Sequence, residues 1–146
     1  MFHYERYRNH SKSRDIIFKT ILKIRKNVQL LNEVKSYPAA ELRFFEECAD
    51  KLIQCRQVLK WSYCVAYFAD KTMSAAEQKL FKFQQQSLEE ACERTHQLWE
   101  QDLTKFLDTS VTDRSPFYKY KAEVVNKMEI LQKQYKSFTE ILQMSF

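Results

Sequence analysis

Apolar residues recur along most of the chain at intervals of three and four, the spacing that lines up one face of an α-helix. From Ser13 to about Lys35 the stripe is Ile17, Ile21, Ile24, Val28 and Leu31, and the Ser36-Tyr37-Pro38 run after it predicts a break. From about Ala40 to Asp70 the stripe is Phe45, Cys48, Leu52, Cys55, Leu59, Tyr63 and Ala66. Unbroken, that helix is about 45 Å long at about 1.5 Å per residue. Ser74-Ala75-Ala76-Glu77 then fits a capping box, in which the Ser hydroxyl and Glu carboxylate satisfy donors freed at a helix start.

The helix beginning there is expected to reach about Leu107, carrying Phe81, Leu88, Cys92, Thr95, Trp99, Leu103 and Phe106. Gln84, Gln85 and Gln86 interrupt its stripe with uncharged hydrogen-bonding groups, so part of this helix is expected to face a partner. Ser115-Pro116 reads as the next start, with Ser as N-cap and Pro at the first helical position. Val124, Met128, Leu131, Tyr135, Phe138 and Leu142 then follow to near the end of the chain. At the other terminus, residues 1–10 predict a short lead-in helix or the extension of a helix from an upstream domain, with Asn9-His10-Ser11 as a joint.

Long helices joined by short connections pack as antiparallel neighbours. The expectation is one all-α domain over residues 1–146, an elongated antiparallel bundle of about four long helices plus a short N-terminal helix. The heptad-like spacing would also serve coiled coils between chains, but stripes rich in Phe and Tyr are bulky for a two-helix seam.

Composition narrows the chemistry. There is no Gly and only two Pro, which removes the residues that hairpins and phosphate-cradling loops depend on. The N-terminus lacks the apolar core of a secretory signal, and no run of about 18 apolar residues appears, so a soluble protein of the cytoplasm or nucleus with no membrane partner is expected. The net charge of +5 comes from 24 basic and 19 acidic residues that read as intermixed, a solvated surface rather than a nucleic-acid groove.

Cys48, Cys55, Cys64 and Cys92 form no CxxC pair and lie inside helical stripes, so free core thiols are expected. No metal or other cofactor is expected in this chain, because His3 and His10 are seven apart without a nearby Cys or fixed carboxylates. His96 is one turn from Glu93 and from Glu100, where a surface ion pair accounts for it. Cys92 and His96 share a helix face, the arrangement of a nucleophile and its base, but both sit mid-helix without an evident oxyanion site. No catalytic residue is expected.

Three blocks carry a further signal. The first is HYERYRNHSKS, with Tyr4, Arg6, Tyr7, Asn9, His10 and Ser13; the second is ADKLIQCRQVLKWSYCVAYF, with Cys55, Arg56, Leu59, Tyr63, Ala66 and Tyr67. The third is LFKFQQQSLEEACE, with Phe81, Gln85, Leu88, Glu89 and Glu93. Together and in this order they resemble the Ariadne domain that follows the catalytic Rcat domain of RING-between-RING (RBR) ubiquitin ligases. Beyond about residue 95 the likeness is only that of generic helix.

The resemblance implies a regulator rather than an enzyme in its own right, a part of an RBR-type E3 that covers the Rcat domain of the same ligase. Release is then expected when a neddylated cullin-RING ligase binds. Zinc and the thioester-forming Cys belong to the family's RING, IBR and Rcat domains. The family's inhibitory contact uses an aromatic-acid pair early in the second helix and a Glu on the fourth, which align with Ile16, Ile17 and Glu93. Only Glu93 is kept, and Lys82 stands where the family has Glu, a reversal of sign. From the residues alone, Ile16 and Ile17 read equally well as core, and a non-catalytic helical scaffold or self-assembling interaction module is the alternative function.

Overall fold

The computed structural model describes the backbone of residues 2–69 and 71–145, and the side chains of residues 5, 6, 8, 12, 15–68 and 71–144. Its helices are α1 (Phe2–Glu33), the single turn α2 (Ala39–Leu42), α3 (Phe44–Ala69), α4 (Ala75–Trp99) and α5 (Ser115–Ser145), with a 3-10 turn at Thr104–Leu107. Among the described residues there is no strand, and no helix is long and apolar enough to cross a membrane.

Four long helices form the bundle, and the short N-terminal helix is the first turns of α1 rather than a separate element. The joint expected at Asn9-His10-Ser11 stays helical because these residues cost only about 0.5 kcal/mol each in a helix, and neither Gly nor Pro stands among them. After α1, Ser36 takes the left-handed conformation (φ 60°) that glycine usually supplies, and the Tyr37 amide donates to the Leu31 carbonyl at 3.2 Å.

Helix α3 begins four residues later than expected, behind a step at Arg43. Leu42, Phe44 and Phe45 are all buried on either side of this step, so both segments contribute to one core.

Helix α3 is the hub, with α1 along one side and the α4–α5 pair against the other. Directions follow from residue pairs: Arg6 meets Glu89 near Tyr63 while Arg25 meets Glu46, so α1 runs antiparallel to α3. Ser62 bonds Gln85 and the Phe45 carbonyl accepts from Trp99, so α4 is antiparallel to α3; Tyr120 reaches Leu98 and Phe138 stacks on Phe81, so α5 is antiparallel to α4.

Helix α4 starts where the capping box placed it. The Glu77 amide donates to Ser74 Oγ at 3.2 Å, and the Ser74 hydroxyl donates to the Glu77 carboxylate at 3.1 Å. The helix stops at Trp99, not near Leu107. Leu103 and Phe106 are buried as their spacing requires, but they descend on the 3-10 turn, which Asp102 opens by accepting from the Thr104 amide at 3.0 Å. The freed carbonyls of Leu98 and Trp99 accept from the Tyr120 hydroxyl at 3.0 and 3.3 Å.

The start of α5 is capped by Asp113, whose carboxylate accepts from the Ser115 amide at 3.0 Å, and the Arg114 carbonyl accepts the first helical bond from Tyr118. The expected N-cap, Ser115, is itself the first helical residue. Around this end Tyr37, Phe44, Phe45, Phe106, Phe117 and Tyr120 stack with centroids 4.1 to 6.4 Å apart. Such a cluster buries large apolar areas and fixes ring orientation as well.

Candidate functional site

Glu89 projects from α4 toward the crossing of α1 and α3. Its Oε1 lies 2.6 Å from Arg6 Nη1, and its Oε2 accepts from the Tyr63 hydroxyl. One carboxylate thus ties three helices. Burial first, and then the Glu89 acceptor, push the Tyr63 phenol far above its ordinary pKa, so it stays a donor.

Beside this joint, the buried Gln85 amide donates to Ser62 Oγ at 2.9 Å, and the Ser62 hydroxyl donates to the Leu59 carbonyl at 2.7 Å. Of the three glutamines that interrupt the stripe, Gln85 faces α3, because it occupies the stripe position between Phe81 and Leu88; Gln86 is exposed and bonds Glu90 at 3.3 Å. Ser62 was missed in the sequence, although a lone amide inside an apolar stripe signals a buried polar partner on the facing helix.

Most of the motif residues that the structure describes converge here or in the core beneath. Cys55, Phe81 and Leu88 are buried core, and Arg56 is buried within hydrogen-bonding reach of the Cys92 thiol. Leu59 and Ala66 are core as well, while Tyr67 is exposed. The side chains of Tyr4, Tyr7, Asn9, His10 and Ser13 lie outside the described residues. A cleft of about 430 Å³ opens over the joint, lined by Arg6, Tyr63, Lys82, Gln85, Glu89 and Glu93.

The three aligned contact residues separate. Glu93 is exposed at the cleft and Ile16 is 50% exposed on α1, but Ile17 is 0% exposed and packs in the core. Ile17 belongs to the stripe with Ile21 and Ile24, so it has no surface to offer another domain.

The thiol chemistry is quiet. Burial pushes Cys48 up to about 12 and Cys92 up to about 11, in the latter case against the opposing pull of Arg56, and Cys55 moves the same way. A thiol so placed is not a thiolate at neutral pH. His96 is turned to Glu100, Nε2 to Oε2 3.3 Å, and rests against Trp99; burial lowers its pKa, outweighing the Glu100 carboxylate. All four cysteines are free, and no group of three or more His, Cys, Asp or Glu suited to a metal occurs among the described residues.

Fold and joint together define an all-helical domain whose distinctive residues fasten one long helix across two others. The chain matches the Ariadne domain over residues 1–143 and belongs to that family, the helical domain of RBR E3 ubiquitin ligases. It is 32% identical over 106 residues to the probable E3 ubiquitin-protein ligase ARI7 of Arabidopsis thaliana, covering 72% of this chain and 19% of the relative. It is 28% identical to the probable E3 ubiquitin-protein ligase rbrA of Dictyostelium discoideum, covering 96% of this chain and 26% of that one. The E3 ubiquitin-protein ligase ariadne-1 of Drosophila melanogaster is 28% identical over 104 residues, 71% of this chain and 20% of its own length. The chain therefore spans about a fifth to a quarter of these relatives.

Proposed function

We propose that this domain is the regulatory part of its ligase, covering the Rcat domain and holding back ubiquitin transfer until a neddylated cullin-RING ligase binds. The observation that carries the reading is Glu93, the one retained residue of the family's inhibitory contact, exposed at the cleft over the Arg6–Tyr63–Glu89 joint. The joint brings α1, α3 and α4 together beside the cleft, so a surface spanning these helices is available to another domain. Ile16 supplies exposed apolar area to that surface in place of the family's aromatic, and the buried Ile17 supplies none. Nucleic acid, membrane and a resident metal have no part in this reading, and the ligase works in the cytoplasm or nucleus.

Calorimetric titration of this chain into the zinc-loaded Rcat fragment of the parent ligase tests the contact. Saturable binding that weakens about tenfold or more with Glu93→Ala is expected, the range of a lost charge-assisted hydrogen bond. No heat of binding from the folded chain contradicts it.

A second reading, a self-assembling helical module, draws on exposed Tyr67, Phe68, Leu80 and Phe83 near the α3–α4 turn. A concentration-independent monomer mass by light scattering removes it.

A further inference from the structure

The surplus of positive charge is not spread over the molecule. Residues 1–35 hold nine Lys and Arg against three Asp and Glu, while the remaining 111 hold fifteen against sixteen. Counted over the whole chain the charges read as intermixed; the fold gathers the excess onto α1.

Arg8, Lys12, Lys19, Lys23 and Lys26 are all exposed, and their spacing of four, seven, four and three places them along one line of α1. That line lies opposite the buried stripe of Ile17, Ile21 and Ile24, which packs on α3, so it faces away from the bundle. It runs about 27 Å along the helix. None of the five is in an ion pair among the described residues. Glu5 and Asp15 are the exposed carboxylates beside it, and Asp102 below the end of α4 lies within electrostatic reach of Lys23.

Two large apolar side chains border this line on one side: Phe18, 51% exposed, and Leu22, 69% exposed, one helical turn apart. The order across the helix, cations in the middle and apolar groups at the margin, decides among partners. A helix lying in a membrane interface needs its apolar residues at the centre of the outward face and its cations at the edges, the reverse of what is here. A nucleic-acid backbone would use the cations but not Phe18 and Leu22. A protein segment that alternates carboxylates with apolar residues uses both.

We infer that the outward face of α1 is a docking strip for an acidic, apolar-flanked protein segment, its carboxylates against Lys19, Lys23 and Lys26 and an apolar side chain over Phe18 and Leu22. The strip shares no residue with the Glu93 cleft, although Ile16 lies one turn from Lys12 and Lys19, and it does not depend on the regulatory reading above. It takes its partner by charge first, which speeds and orients encounter, and by the apolar margin second, which fixes register.

The test is fluorescence anisotropy with this chain and a fluorescein-labelled peptide repeating Glu-Glu-Leu, in about 0.1 M salt where the screening length is about 10 Å. Expected are saturable binding, a loss of at least about tenfold with Lys19→Glu/Lys23→Glu/Lys26→Glu, and a loss of about threefold with Phe18→Ala/Leu22→Ala. Circular dichroism confirms that each variant keeps its helix content. Affinity of the unsubstituted chain should also fall steeply with salt, a reading that needs no variant. Absent binding, or equal binding by the charge-reversed chain, overturns the inference. Tighter binding to duplex DNA or to phosphatidylserine vesicles than to the peptide overturns the choice of a protein partner.

Discussion

Arg6 on α1 and Tyr63 on α3 hold the two oxygens of a single carboxylate, that of Glu89 on α4. Arg6 and Glu89 are 83 residues apart in the chain, yet their contact is the described ion pair linking α1 to the α4–α5 half of the bundle. Removing one partner leaves the others with unmet hydrogen bonds in a partly buried place. Glu89→Ala is predicted to cost about 2 kcal/mol in urea unfolding. Arg6→Ala should cost under about 1 kcal/mol, because the Arg6 side chain is 42% exposed against 13% for Glu89 and solvent screens it. Hydrogen exchange should quicken mainly in the first turns of α1. Equal costs for the two variants would contradict this division.

Ser36 carries the left-handed backbone between α1 and α2 without being glycine. Ser36→Gly removes the Cβ penalty of about 1 kcal/mol, partly offset by the greater freedom of the unfolded chain. A small rise in melting temperature is expected; a fall would show that the Ser side chain supports the turn.

His96 makes stability depend on pH. Its pKa is lower folded than the ordinary 6.5, chiefly through burial, so the unfolded chain binds the proton more readily. The neutral ring's contribution is complete above about pH 6.5 and is lost as pH falls through that value toward the folded pKa. Urea unfolding at pH 7.5 and 5.5 should show a smaller acid loss for His96→Gln than for the unsubstituted chain. Identical losses would remove His96 from the account.

The cysteines offer a direct check of the core. Cys48, Cys55 and Cys92 are buried while Cys64 is only half-buried, so Cys64 should react first with a disulfide reagent under native conditions, and all four in urea. Rapid native modification of Cys92 would revive the nucleophile reading that its burial argues against.

The stripes made the helices legible because three-four spacing survives wherever one face is buried. Where it misled, the reason is local. Leu103 and Phe106 continue the count from Trp99 perfectly well, with no Gly or Pro to announce that the helix ends and the chain descends in a 3-10 turn. The Ser-Pro pair is the more familiar start signal, but the Asp113 carboxylate, two residues ahead of the Ser115 amide, is an equally good acceptor.

The site was harder. Arg6, Tyr63 and Glu89 stood out through the family resemblance, and nothing local in the sequence joins them. Their contact depends on how three helices cross. Lys23, Arg25 and Lys26 show in the sequence as a basic cluster on the polar side of the stripe, which a solvated face explains; the longer line through Arg8, Lys12 and Lys19 exists only because α1 runs unbroken through residues 9–11.

The most direct test of the central claim is ubiquitin discharge by the parent ligase's RING-to-Rcat fragment, followed with and without this chain and with its Glu93→Ala form. The account predicts dose-dependent inhibition by the unsubstituted chain and weaker inhibition by the variant, at unchanged helix content. Discharge at the same rate in the presence of the folded chain would contradict a regulatory role for this Ariadne domain.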